Sequence, residues 1–214
     1  ASPRFWQNFP KRIGMSSSEL GTSLDIGLFP AEQGGEHELQ GGECKTHDVW
    51  IALDATADLD WTYAPPVCRL ALEPYLDSGQ LGFARLREQT AQVDDILSDA
   101  IHGPRGILAN RERVDEFGWR HFGDIYADHE EQYYDDPRPL VSHYNNQFDL
   151  IYGFLVNYLR TGERSLFELG DDLARHVADV DIYWTDRDRD AYNGGLFWFT
   201  DHYLHAGTST HRSY

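Results

Sequence analysis

Apolar positions set the framework of this chain. Phe148, Ile151, Tyr152, Leu155 and Leu159 recur at i, i+3 and i+4, which predicts an amphipathic helix closed by Thr161-Gly162. Leu166, Leu169, Leu173 and Val177 form a second stripe, with Asp171 and Arg175 able to pair on another face. Ser165-Leu166-Phe167-Glu168 has the form of a capping box at that helix's start. A third helical stretch runs from Leu86 to Ile101, ahead of the breaker Gly103-Pro104, and a fourth is expected from Leu196 to Leu204. Before residue 75 the pattern changes. Leu24–Phe29 half-alternates and stops at Pro30, and Val49-Trp50-Ile51-Ala52-Leu53 is a short apolar run between polar residues. Both read as strands, separated by a Gly-rich loop over 33–46 and followed by the connector Pro65-Pro66. Gly118–Asp124 reads as an aromatic loop.

The expected fold class is therefore α+β and multidomain: residues 1–75 are expected as the end of a β-sandwich and residues 76–214 as part of a helical toroid or solenoid. A whole sandwich needs about seven strands, so the chain is expected to be a fragment of a larger protein.

Composition changes the picture in one respect. The 214 residues carry 36 Asp+Glu against 18 Lys+Arg, a formal charge of -18. With no run of Lys or Arg, this argues against nucleic acid as a partner. No apolar run approaches the length of a membrane span. Cys44 and Cys68 are too few for a disulfide framework and are expected as buried free thiols.

Candidate chemistry concentrates in two places. His143-Tyr144-Asn145-Asn146-Gln147 places a base, a phenol and two carboxamides just ahead of the apolar helix, where free N–H groups favour an anion. The last forty residues hold Tyr192-Asn193-Gly194-Gly195, Asp201-His202-Tyr203 and His211-Arg212. In Asp201-His202 the carboxylate would fix the imidazole tautomer, and the Arg212 fork suits a carboxylate. These are the groups needed for β-elimination on a uronic acid: a neutraliser, a base and an acid. Asp128-His129-Glu130, Asp201-His202 and His211 also offer atoms for a structural or catalytic divalent cation, but without His-Glu-x-x-His or a regular ligand spacing. No cofactor is expected. Asp124, Asp128, Glu130 and Asp149 are candidates for a two-carboxylate glycoside hydrolase, the chemically distinct alternative. A third reading is a non-catalytic carbohydrate-binding or structural piece.

Several segments together carry a resemblance. They are Phe29-Pro30, His37–Glu43 with Lys45-Thr46-His47, Gly118-Trp119-Arg120 with Phe122-Gly123-Asp124, Ala127–Glu130, Ser142–Gln147, Ala191–Trp198, Asp201-His202-Tyr203 and Thr210-His211-Arg212. This chain resembles the exo-rhamnogalacturonan lyase-like proteins of bacteria and fungi. The resemblance implies β domains followed by an (α/α) toroid, secretion or a periplasmic location, and β-elimination on a rhamnogalacturonan- or pectin-like polysaccharide. For that reaction the candidate catalytic groups are His143, Tyr144, His202 and Tyr203, and the candidate substrate-binding groups are Asn145, Asn146, Tyr192, Asn193, His211, Arg212 and Lys45. Glu43, Lys45 and His47 would reach the cleft from the β side or form an interface network. The partner it implies is an acidic polysaccharide or oligosaccharide, with no nucleic acid and no membrane. The rest of the same polypeptide, or another subunit, would complete the toroid.

Overall fold

The computed structural model describes residues 3–33, 37, 39, 41–54, 56–69, 71–80, 91–125 and 145–196. Over these the fold is a mixture of α and β. The helices are α1 (Pro3–Gln7), α2 (Leu72–Asp77), α3 (Ala91–His102), α4 (Ile107–Arg113), α5 (Asn145–Phe148), α6 (Leu150–Thr161) and α7 (Arg164–His176). The sheet among the described residues is the antiparallel hairpin β1 (Arg12–Ser18) and β2 (Gly21–Gly27), so they build no sandwich.

The core is organised by the helical hairpin α6–α7. Gly162, at φ 78°, ends α6 in the left-handed conformation that a residue without Cβ adopts freely. Leu166, Leu169, Leu173 and Val177 are all buried, as their spacing requires, and pack with Phe154 and Tyr158 of α6, Ile101 of α3 and Ile125. Asp171 and Arg175 pair at 3.4 Å on the exposed side. After His176 the helix widens into a π turn, Val177–Asp181. Gly123 (φ 100°) lets the 118–125 turn lie on α7: a Cβ there would meet the Asp172 carbonyl oxygen at 2.3 Å.

Four expectations are corrected. α6 is capped by Asp149, which stands at φ 49° and accepts a hydrogen bond from Tyr152 N. Asn145 and Asn146 instead sit in the separate four-residue turn α5, so the carboxamide pair does not begin the long helix. The capping box is not formed, because α7 starts at Arg164, one residue ahead of Ser165. Ser165 instead donates to Glu163, and Glu168 pairs with Arg164 at 2.6 Å. Residues 49–53 are not a strand. Among the described residues no second strand lies alongside to satisfy their backbone, and Ile51 and Leu53 are exposed. Cys44 and Cys68 are free, as expected, but exposed rather than buried. Conversely, the pattern gave no signal for β1, whose serines pair with β2 through Ser16–Ser23 and Ser17–Thr22.

An extended strap, residues 43–48, crosses the end of α7. Cys44 N donates to Asp179 O at 2.8 Å, while Thr46 N and Thr46 Oγ1 each donate to the Asp179 carboxylate at 2.8 Å. Alternation along the strap leaves Cys44, Thr46 and Asp48 exposed and Glu43, Lys45 and His47 partly buried. No described helix is long and apolar enough to cross a membrane.

Candidate functional site

Three groups of residues meet around the strap. The first is an aromatic and charged knot. Phe29 packs edge-on against Trp119 (5.4 Å between centroids) and His47 (5.4 Å), and tilted against His37 (5.5 Å). Arg120 lies over Trp119 and donates to Glu43, whose side chain is fully buried. Phe29, His37, Glu43, His47, Trp119 and Arg120 are thus drawn into one place from both ends of the stretch between residues 29 and 120. The Glu43–Arg120 pair ties the strap to the 118–125 turn.

The second is a cavity of about 30 Å³ lined by Arg4, Asn8, Lys45, His47, Asp48, Asp172, Arg175, His176 and Asp179, with Phe5, Thr46 and Phe122. Three basic groups share this region. Burial, with repulsion from Lys45, pulls the Lys11 amine down to about 8. Burial takes Lys45 to about 8, with Asp179 opposing. Burial, reinforced by Lys11 and Lys45, takes His47 to about 4, so its imidazole is neutral at physiological pH.

The third is an open groove of about 530 Å³ that shares Arg4, Asp48, Asp172 and Arg175 with the cavity. Trp50 and Trp61 meet edge to face at 4.7 Å on its wall, beside Tyr63, and all three rings are well exposed. Its charged lining balances: Arg4, Arg111, Arg164 and Arg175 against Asp48, Glu168, Asp171 and Asp172. Arg4 bridges Asp171 and Asp172, both at 2.7 Å; Arg111 reaches Asp172 at 3.3 Å and Arg175 reaches Asp48 at 2.9 Å. Burial pulls the Arg4 guanidinium down, but Asp172 and Asp171 outweigh it and hold it above its ordinary value. Burial pushes the Asp172 carboxyl up, against Arg4 and Arg111. With two guanidinium groups in contact, the ionised carboxylate is the state that the geometry favours.

Of the residues singled out in the sequence, Lys45 lines the cavity. Tyr192 and Asn193 line neither space. Asn193 closes its own loop through both main-chain groups of Asp188, at 3.1 and 3.0 Å, and Tyr192 is exposed. The side chains of Asn145 and Asn146, and all of His143, Tyr144, His202, Tyr203, His211 and Arg212, lie outside the described residues, as do Asp128, His129 and Glu130. Asp124 is buried, accepting from Ile125 N and facing His176 at 3.4 Å, and Asp149 is a helix cap, so neither lies on the groove. Among the described residues, no group of three or more His, Cys, Asp or Glu is arranged to hold a metal ion.

The groove itself was missed. Its residues come from α1, residues 48–67, α4 and α7, so only the fold unites them. The available signal was Trp50 and Trp61, two large aromatics in a stretch with no structure of its own to bury them. No family model matches the chain, and no curated protein or solved structure is significantly similar to it.

Proposed function

We propose that the protein binds an acidic polysaccharide in the groove and cleaves it by β-elimination, as a polysaccharide lyase acting on a rhamnogalacturonan- or pectin-like chain. The observation that carries this reading is the exposed Trp50–Trp61–Tyr63 wall in a groove whose charges cancel, on a molecule of net charge -18. Aromatic faces stack on the apolar faces of sugar rings, and local charge balance allows an anion to approach a surface that elsewhere repels it. His143, Tyr144, His202 and Tyr203 remain the proposed base and acid groups, with Asn145, Asn146, His211 and Arg212 beside the sugar carboxylate. The α6–α7 hairpin is proposed as one repeat of a toroid that the rest of the polypeptide or another subunit completes, beside the end of a β-sandwich. Secretion or a periplasmic location belongs to the same proposal.

The test is to offer rhamnogalacturonan and polygalacturonate and follow the ultraviolet absorbance of unsaturated uronate. Its growth, and its loss in His143→Ala, supports the lyase. New reducing ends without that absorbance would favour a hydrolase instead. One observation favours a second reading, glycan binding without turnover: the arginines of the groove all have carboxylate partners. Retention of polygalacturonate with no product of either kind would establish it.

A further inference from the structure

The small cavity differs in chemistry from the groove it adjoins. The Lys45 side chain is only 4% exposed, and its nearest carboxylate oxygen, Asp179 Oδ2, is 3.9 Å away, beyond hydrogen-bond reach. That carboxylate already accepts two hydrogen bonds from Thr46. Lys45 Nζ therefore makes no hydrogen bond among the described residues. His47 Nε2 is buried and likewise has no partner among them. An ammonium on a side chain so little exposed has lost most of its hydration, and an acceptor in the cavity would replace it. A space of about 30 Å³ admits a group of a few atoms and excludes a sugar ring. The carboxylates on its walls are already held: Asp172 by Arg4 and Arg111, Asp48 by Arg175, Asp179 by Thr46.

We propose that this cavity is a carboxylate pocket, in which Lys45 Nζ and the Nε2–H of a neutral His47 hydrogen-bond the carboxylate of a uronate sugar whose ring lies in the groove. The proposal rests on the sugar-binding reading of the groove. The shared wall makes the geometry work, since a ring against Arg4, Asp48 and Arg175 can direct its exocyclic carboxylate inward. Lys11 and Lys45 repel one another, and an anion beside Lys45 relieves that repulsion. In the proposed elimination, Lys45 would be one of the groups that neutralise the carboxylate and so make the neighbouring ring proton removable.

Two probes test this. Acetate reports on the pocket alone, through the His47 ring resonances in proton NMR, assigned with His47→Gln. An oligogalacturonate and its methyl ester report on pocket and groove together, by calorimetry. Acetate should shift the His47 resonances saturably in the wild type and leave them unmoved in Lys45→Met. The free acid should bind about tenfold tighter than the ester, a difference of one or two charge-assisted hydrogen bonds, and Lys45→Met should erase that preference. Unmoved His47 resonances, or a preference that survives Lys45→Met, would overturn the proposal. If acetate shifts His47 but neither oligomer binds, the pocket stands as a carboxylate site and the sugar reading of the groove falls.

Discussion

Lys45 buries a cation where a methionine of similar length would fit. Its amine is taken from an ordinary 10.5 to about 8 by burial. Between those values the unfolded chain holds a proton that the folded one has released, so this group's contribution to stability rises with pH across that window. Below about 8 both forms are charged and the cost is fully present. Lys45→Met is therefore expected to stabilise the fold at pH 7 by about 1–2 kcal/mol, read as a higher Tm, while losing carboxylate recognition. His47 runs the same way at lower pH. Its folded value of about 4 lies below its ordinary 6.5, so stability is intact above about 6.5 and declines as pH falls toward 4, where the unfolded chain takes the proton first. The fall in Tm between pH 6.5 and 4.5 should shrink in His47→Gln. Lys45 as a substrate-binding group, and Lys45 and His47 together at the cleft, could be named from the sequence; the cavity they line could not, because Asp179 on its wall is 133 residues from Thr46.

At the level of elements, the α6–α7 hairpin was the legible part, while α1, α2 and α4 were not and the expected helix from Leu196 to Leu204 lies outside the described residues beyond Leu196. The stripe from Leu166 to Val177 and the closure at Gly162 follow from spacing and from one residue lacking Cβ, both local properties. Leu173, with no exposed surface, should cost about 2–5 kcal/mol as Leu173→Ala, measured by denaturant unfolding. The strap was not legible, because its order comes from a distant π turn rather than from its own residues. Asp179→Ala removes both acceptors of Thr46 and should release the strap, seen as lost hydrogen-exchange protection at the Thr46 amide while α6 amides stay protected. Residues 49–53 misled for a related reason: an apolar run becomes a strand only where a neighbour supplies hydrogen bonds, and here its Trp50 turns to the groove.

For the molecule as a whole, charge is the governing property. A body of charge -18 repels a polyuronate at long range, while the groove is locally balanced. Salt screens the first effect over about 8–10 Å and barely touches contacts inside the groove. Polygalacturonate affinity should therefore strengthen between about 0.02 and 0.15 M salt, opposite to the usual trend for a charged ligand, and Trp50→Ala should weaken it about tenfold at either salt concentration. Acidity could be read directly from composition, but the neutral patch could not, since its arginines are scattered from Arg4 to Arg175.

The two thiols offer an internal gauge of the strap. Burial and the neighbouring Asp179 carboxylate raise the Cys44 thiol above its ordinary value, so it forms thiolate reluctantly despite its surface position. Alkylation should therefore reach Cys68 first, and any substitution or ligand that lifts residues 43–48 away from α7 will announce itself as faster labelling at Cys44.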